Sequence, residues 1–135
     1  MKKICLILML GVLTTQSFSQ QLASNNLSSP KIKTAAFLWS MTTHDFGKIK
    51  VNSPVAHEFR FTNSGDAPLI IASVQASCGC TVTDYSKDPI SPKGEGYVKA
   101  TYDAAKVGIF NKTVTVNANA GESAVQLVIK GEVVE

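Results

Sequence analysis

The chain has 135 residues, within the range of one domain, and carries 13 Lys and Arg against 10 Asp and Glu for a net charge of +3. A balance this close to neutral, with no basic run beyond the first residues, gives no ground for binding to nucleic acid or to a membrane surface. The length is enough to bury one core without help from disulfides.

The first twenty residues read MKKICLILMLGVLTTQSFSQ. Lys2 and Lys3 precede an apolar run from Ile4 to Leu13, and small residues follow at Ser17 and Ser19. This order predicts a signal peptide over residues 1–19, cleaved between Ser19 and Gln20. The apolar run is about half the ~20 residues of a spanning helix, so the processed chain is expected to be exported and not membrane-spanning. Cleavage takes Lys2 and Lys3 away, leaving 11 of the 13 basic residues against 10 acidic ones. Cys5 leaves as well, so the processed chain keeps two cysteines in a compartment where disulfides persist.

Residues 20–42 read as a flexible leader, because QQLASNNLSSPKIK is rich in Gln, Asn and Ser. At its end Phe37, Leu38 and Trp39 bunch together. They form either a first edge strand docking on the core or an exposed patch that needs a partner.

From residue 43 to 135 the pattern is strand after strand. HDFGKIKV is short and mixed. In PVAHEFRFTN, Val55, His57, Phe59 and Phe61 share one face. LIIASVQAS is more continuously apolar, as expected of a central strand buried on both sides. Turn formers at NSGDAP and KGEG punctuate the chain. YVKATYD places Val98, Ala100 and Tyr102 together; FNKTVTVNAN does so for Phe110, Lys112, Val114 and Val116; AVQLVIKGEVV does so for Val125, Leu127, Ile129 and Val133. No stretch after residue 42 shows a helical apolar stripe. Such spacing predicts an all-β, immunoglobulin-like sandwich of about seven strands, with a small barrel as the alternative.

Taken together, HDFGKI, FRFTNSGDAPLII, SCGCT, PISPKGEG, FNKTVTVNAN and IKGEV resemble a family of exported bacterial proteins, domain of unknown function 1573. The likeness spans residues 43–134. It implies an immunoglobulin-like sandwich related to the ASH and major-sperm-protein-like domains, and a periplasmic or extracellular location. It brings no established activity, so no catalytic residue is implied.

Cys78 and Cys80 lie one glycine apart. In an extended strand their Cα atoms would be ~6.6 Å apart, near the limit for a disulfide, so bridging needs a bend that Gly79 could supply. Three readings stay open: a local bridge or two small buried thiols, a redox couple, or a soft-metal clip for an ion such as Cu(I). No Lys or Arg lies in QASCGCTV to lower a thiol pKa. His57 reads as a core or edge histidine and His44 as a turn or edge residue, since neither has finger-like spacing to the cysteines. There is no G-x-S-x-G elbow and no Gly-rich phosphate loop.

The sequence therefore points to a non-enzymatic module without a cofactor, binding an unidentified protein or envelope component. Phe37, Leu38 and Trp39 are the candidate surface. The rival is a periplasmic redox or copper-handling protein built on Cys78 and Cys80.

Overall fold

Alternation of inward apolar and outward polar side chains generates most of the strands, and loops rich in Gly, Asn, Asp and Ser separate them. The computed structural model describes residues 29–121 and 124–135; the signal peptide expected at 1–19 lies outside them. Eight strands follow in order: β1 (Phe37–Trp39), β2 (Thr43–Lys50), β3 (Val55–Asn63), β4 (Ile71–Ala76), β5 (Thr81–Tyr85), β6 (Glu95–Tyr102), β7 (Gly108–Ala118) and β8 (Val125–Val134). There is no helix among the described residues.

The strands form two four-stranded sheets, ordered β1-β3-β6-β5 and β2-β8-β7-β4. This is an immunoglobulin-like sandwich and not a barrel, because among the described residues no pairing between named strands closes one sheet onto the other. Every pairing is antiparallel except β2 with β8, which is parallel. The chain changes sheets between β1 and β2, so each sheet receives one edge strand from the same N-terminal stretch, three residues long in one and eight in the other.

The inner faces meet over Phe59, Leu69, Val98, Val114, Leu127 and Ile129, all completely buried. Burial of each such side chain contributes about 1.5–3 kcal/mol. The inward sets read from β3, β6, β7 and β8 are the observed ones. Two glycines are needed by this packing. A Cβ at Gly96 would run into the Phe61 ring opposite it in register and approach Ile90 Cδ1 to 2.9 Å. A Cβ at Gly131 would stand 2.8 Å from the Gly47 carbonyl oxygen and 2.9 Å from the Phe110 ring.

One buried polar residue ties the loops at one end of the sandwich together. Asn63, fully buried, donates from Nδ2 to the carbonyls of Ala67 at 2.7 Å and Ile90 at 2.9 Å. Its Oδ1 accepts from the Gly65 amide at 3.0 Å and the Ala36 amide at 3.3 Å. Its backbone closes onto Gly94 O and Lys93 N. A single side chain thus holds the N-terminal segment, the turn after β3 and the loop before β6.

Three readings of the sequence need correction. The compact unit starts at Lys31, ahead of the boundary drawn at residue 43. The reason is that Ala35 is buried and Phe37 and Trp39 pack on Phe61. The apolar LIIASVQAS stretch is an edge strand and not a central one: β4 ends its sheet, and Ile70 points out while Leu69 and Ile71 point in. A strand absent from the pattern, β5, pairs with β6. It turns Thr81, Thr83 and Tyr85 inward and leaves Val82 69 % exposed, the reverse of the usual polarity.

Candidate functional site

The chain leaves β4 in one sheet and enters β5 in the other through Ser77–Cys80. Backbone bonds fix this crossing at both sides. Ser77 N donates to Thr113 O at 2.8 Å, and Asp103 N donates to Cys80 O at 3.0 Å. Between them Cys78 to Thr81 form a turn in which Thr81 N donates to Cys78 O at 3.4 Å. The turn contracts the Cys78–Cys80 Cα separation to 5.3 Å, well inside the extended-strand value, and the two sulfurs are bonded. Gly79 does not contribute the freedom expected of it. Its φ is not in the left-handed region, and a Cβ there would meet nothing within 4 Å.

Cys80 packs against the core, and Cys78 is half-buried. The Thr81 hydroxyl lies 3.9 Å from Cys78 Sγ and 4.0 Å from Cys80 Sγ. Closing a ring of three residues removes little chain entropy, about 1.6 kcal/mol in the loop-entropy treatment. A Cys78→Ser/Cys80→Ser double variant is therefore expected to keep its β-sheet circular dichroism and lose no more than that in urea unfolding. Gly79→Ala is expected to stay within about 0.5 kcal/mol of the parent in the same assay.

The bunched residues before residue 40 divide by strand alternation. Phe37 and Trp39 turn inward, stacked at 4.9 Å with both rings against Phe61. Leu38 points out and is 61 % exposed. β1 is only three residues long and pairs with Phe61, Thr62 and Asn63 alone. Beside it a hollow of about 420 Å³ opens between the sheets, lined by Ala36, Phe37, Trp39, Val116, Ala118 and Val125 among others. Trp39 Nε1 is buried without a hydrogen-bond partner.

The histidines, read separately from the sequence, come together. His44 on β2 and His57 on β3 stack across the gap between the sheets, centroids 3.7 Å apart and planes within 6°. Phe46 meets His44 edge-on at 4.6 Å and Phe59 meets His57 edge-on at 4.7 Å. His57 Nε2 is buried with no partner. Burial and the neighbouring His44 pull the His57 pKa below its ordinary 6.5, against an opposing pull from Glu58. His44 is thus an edge-strand residue and not a turn residue, and sequence reasoning missed the pairing. Neither histidine joins the cysteines, and among the described residues no three His, Cys, Asp or Glu side chains converge as a metal site.

Comparison with known proteins gives the same fold and no activity. A protein of unknown function from Porphyromonas gingivalis W83 superposes with a TM-score of 0.65 at 18% identity, over 74% of this chain and 47% of that one. This chain therefore spans about half the length of that protein. The ASH/PapD-like domain 7 of human CEP192 gives a TM-score of 0.64 at 8% identity, covering 76% of this chain and 87% of the domain. A family 123 glycoside hydrolase from Clostridium perfringens gives 0.58 at 11% identity, over 70% of this chain but 23% of the enzyme. At these identities the likeness shows architecture alone. No curated protein sequence matches. The family model described as protein of unknown function (DUF1573) matches residues 37–133, so its span begins at β1, and the chain belongs to that family.

Proposed function

We propose that the domain is an exported, non-enzymatic module that binds a partner protein or envelope component along its β1 edge. The observation that carries this reading is Leu38, held 61 % exposed on a three-residue edge strand, where it lines a separate outer hollow with Arg60, Phe61 and Thr62. A short edge strand offers backbone groups for strand addition, and an exposed apolar side chain beside a hollow offers an anchor. Support for binding over thiol chemistry comes from the setting of Cys78 and Cys80. The polar side chain beside both sulfurs is the neutral Thr81 hydroxyl, which does little to stabilise a thiolate.

Leu38→Glu tests the reading. It is expected to leave the thermal midpoint unchanged, since the side chain is largely in water, and to lower crosslinked partner recovery from cells at least tenfold. Undiminished recovery clears this edge of a binding role. Counting thiols in protein purified without reductant addresses the rival. Masking lifted by a reductant means a disulfide, and masking lifted by a chelator means a bound metal. Export is tested by the mass of the processed chain, expected to begin at Gln20.

A further inference from the structure

The flank of the sandwich between β2 and β3 is open for part of its length. β1 pairs with β3 over Phe61, Thr62 and Asn63, Ser40 extends that contact to the Arg60 carbonyl, and among the described residues β2 has β8 as its strand partner. Where β1 stops, His57 from one sheet meets His44 from the other, ring on ring at 3.7 Å. The geometry points to this pair as a proton-sensitive latch that holds β2 against the opposite sheet while at least one imidazole is neutral.

Two neutral rings stack, and one cationic ring stacks favourably on a neutral one. Two cations at this spacing repel, and the flank gives them little to lean on. Protonation also puts a second N–H on His57, whose Nε2 has no partner in the closed flank. The charged groups on the strands around the pair are Asp45, Lys48 and Lys50 on β2, Glu58 and Arg60 on β3, Glu95 and Lys99 on β6 and Lys130 and Glu132 on β8, all exposed except the half-buried Glu132. One strand further on, the half-buried Lys112 of β7 shares the Ile129 register position with His44 and adds a fixed positive charge that disfavours a second one on the pair. β1 carries none. Glu58 is the one that favours charge on His57, and it is shared with Arg60 at 3.0 Å. Tyr102, inward on β6, stays neutral in acid, since burial raises its pKa from 10.0.

The sign follows from linkage. The closed form binds a proton at His57 less readily than the open form, whose histidine titrates near 6.5. Closure is therefore complete above that pH and weakens as pH falls below it, until His57 protonates in the closed form as well. Acid frees β2 before it unfolds the sandwich.

The test is amide hydrogen exchange by NMR on the whole chain between pH 7.5 and 4.5, corrected for the intrinsic rate, with the histidine ring signals followed in parallel. Protection of the β2 amides is expected to fall tenfold for each pH unit over which the closed pair holds one proton fewer than the open pair. Protection in the β3–β6 ladder is expected to hold. His57→Phe and His44→Phe keep the aromatic contact and remove the charge, so β2 protection should then be flat with pH. A flat wild-type profile overturns the latch, as does an equal slope in both variants. If neither variant folds, the wild type decides alone: His57 titrating at 6.5 with β2 protection unchanged overturns it.

Discussion

Asn63→Ala is expected to be among the most damaging single substitutions, costing about 3 kcal/mol in urea unfolding, or more. The side chain is wholly buried, and its loss leaves the Ala36 and Gly65 amides and the Ala67 carbonyl without the partners they have now. The Ile90 carbonyl keeps the Leu69 amide at 2.8 Å, so three groups are orphaned. All three sit at part-buried positions, so each costs about 1 kcal/mol, the lower end of the range for a group left unsatisfied. Asn63→Asp is nearly isosteric and is expected to do no better at neutral pH. It aims a carboxylate oxygen at two carbonyl oxygens where an NH₂ stood. A measured loss below about 1 kcal/mol for either variant would show that water replaces the side chain and that the tie is dispensable.

Gly96→Val is expected to cost about 3 kcal/mol, the upper end for overpacking a dense core. The Phe61 ring lies over the missing side chain, with Ile90 behind it. The new methyls cannot be placed without moving that ring. Phe61 is also the surface on which Phe37 and Trp39 rest, so the displacement reaches β1. The chain has one tryptophan, which makes the event visible: the emission of Trp39 should shift to the red in the folded variant. A loss of stability without any change in emission would separate the Gly96 packing from the β1 contact and refute the linkage. The more conservative Gly96→Ala should show the same two effects at smaller size.

Legibility of this fold followed the direction in which side chains point. In β3, β6, β7 and β8 apolar residues recur at most of the alternate positions on the buried face, and period two alone finds both the strand and its inner side. β5 breaks that code, because its inward positions hold Thr81 and Thr83 while Val82 faces solvent. β4 misled for the opposite reason. Leu69, Ile70 and Ile71 read as a doubly buried run, yet an edge strand tolerates an outward isoleucine. β1 was legible as a possible edge strand docking on the core but was left outside the domain boundary, since the surface that orders it belongs to Phe61 on a different strand. The same holds for the site. The tight cysteine turn was one of three readings that the Cys-Gly-Cys spacing left open, and Gly79 turned out not to be stretched. The histidine stack could not, because no local pattern relates two residues on different strands of different sheets. Asn63 lay where a strand pattern ends and turn formers begin, and nothing in NSG announces a fourfold hydrogen-bonding hub.

The parallel pairing of β2 with β8 bears on how the chain acquires its fold. Thr43–Lys50 has no neighbour in its sheet until Val125–Val134 arrives from the far end of the sequence. Closing that span is costly in loop entropy and gains nothing locally along the way, which makes for slow folding dominated by distant contacts. A chain still lacking its last strand keeps an unsatisfied β2 and an uncovered side of β7 at once. Pairing of β2 with β8 is therefore expected late in folding, and a truncation before Val125 should leave β2 without its strand partner and β7 paired on one side alone.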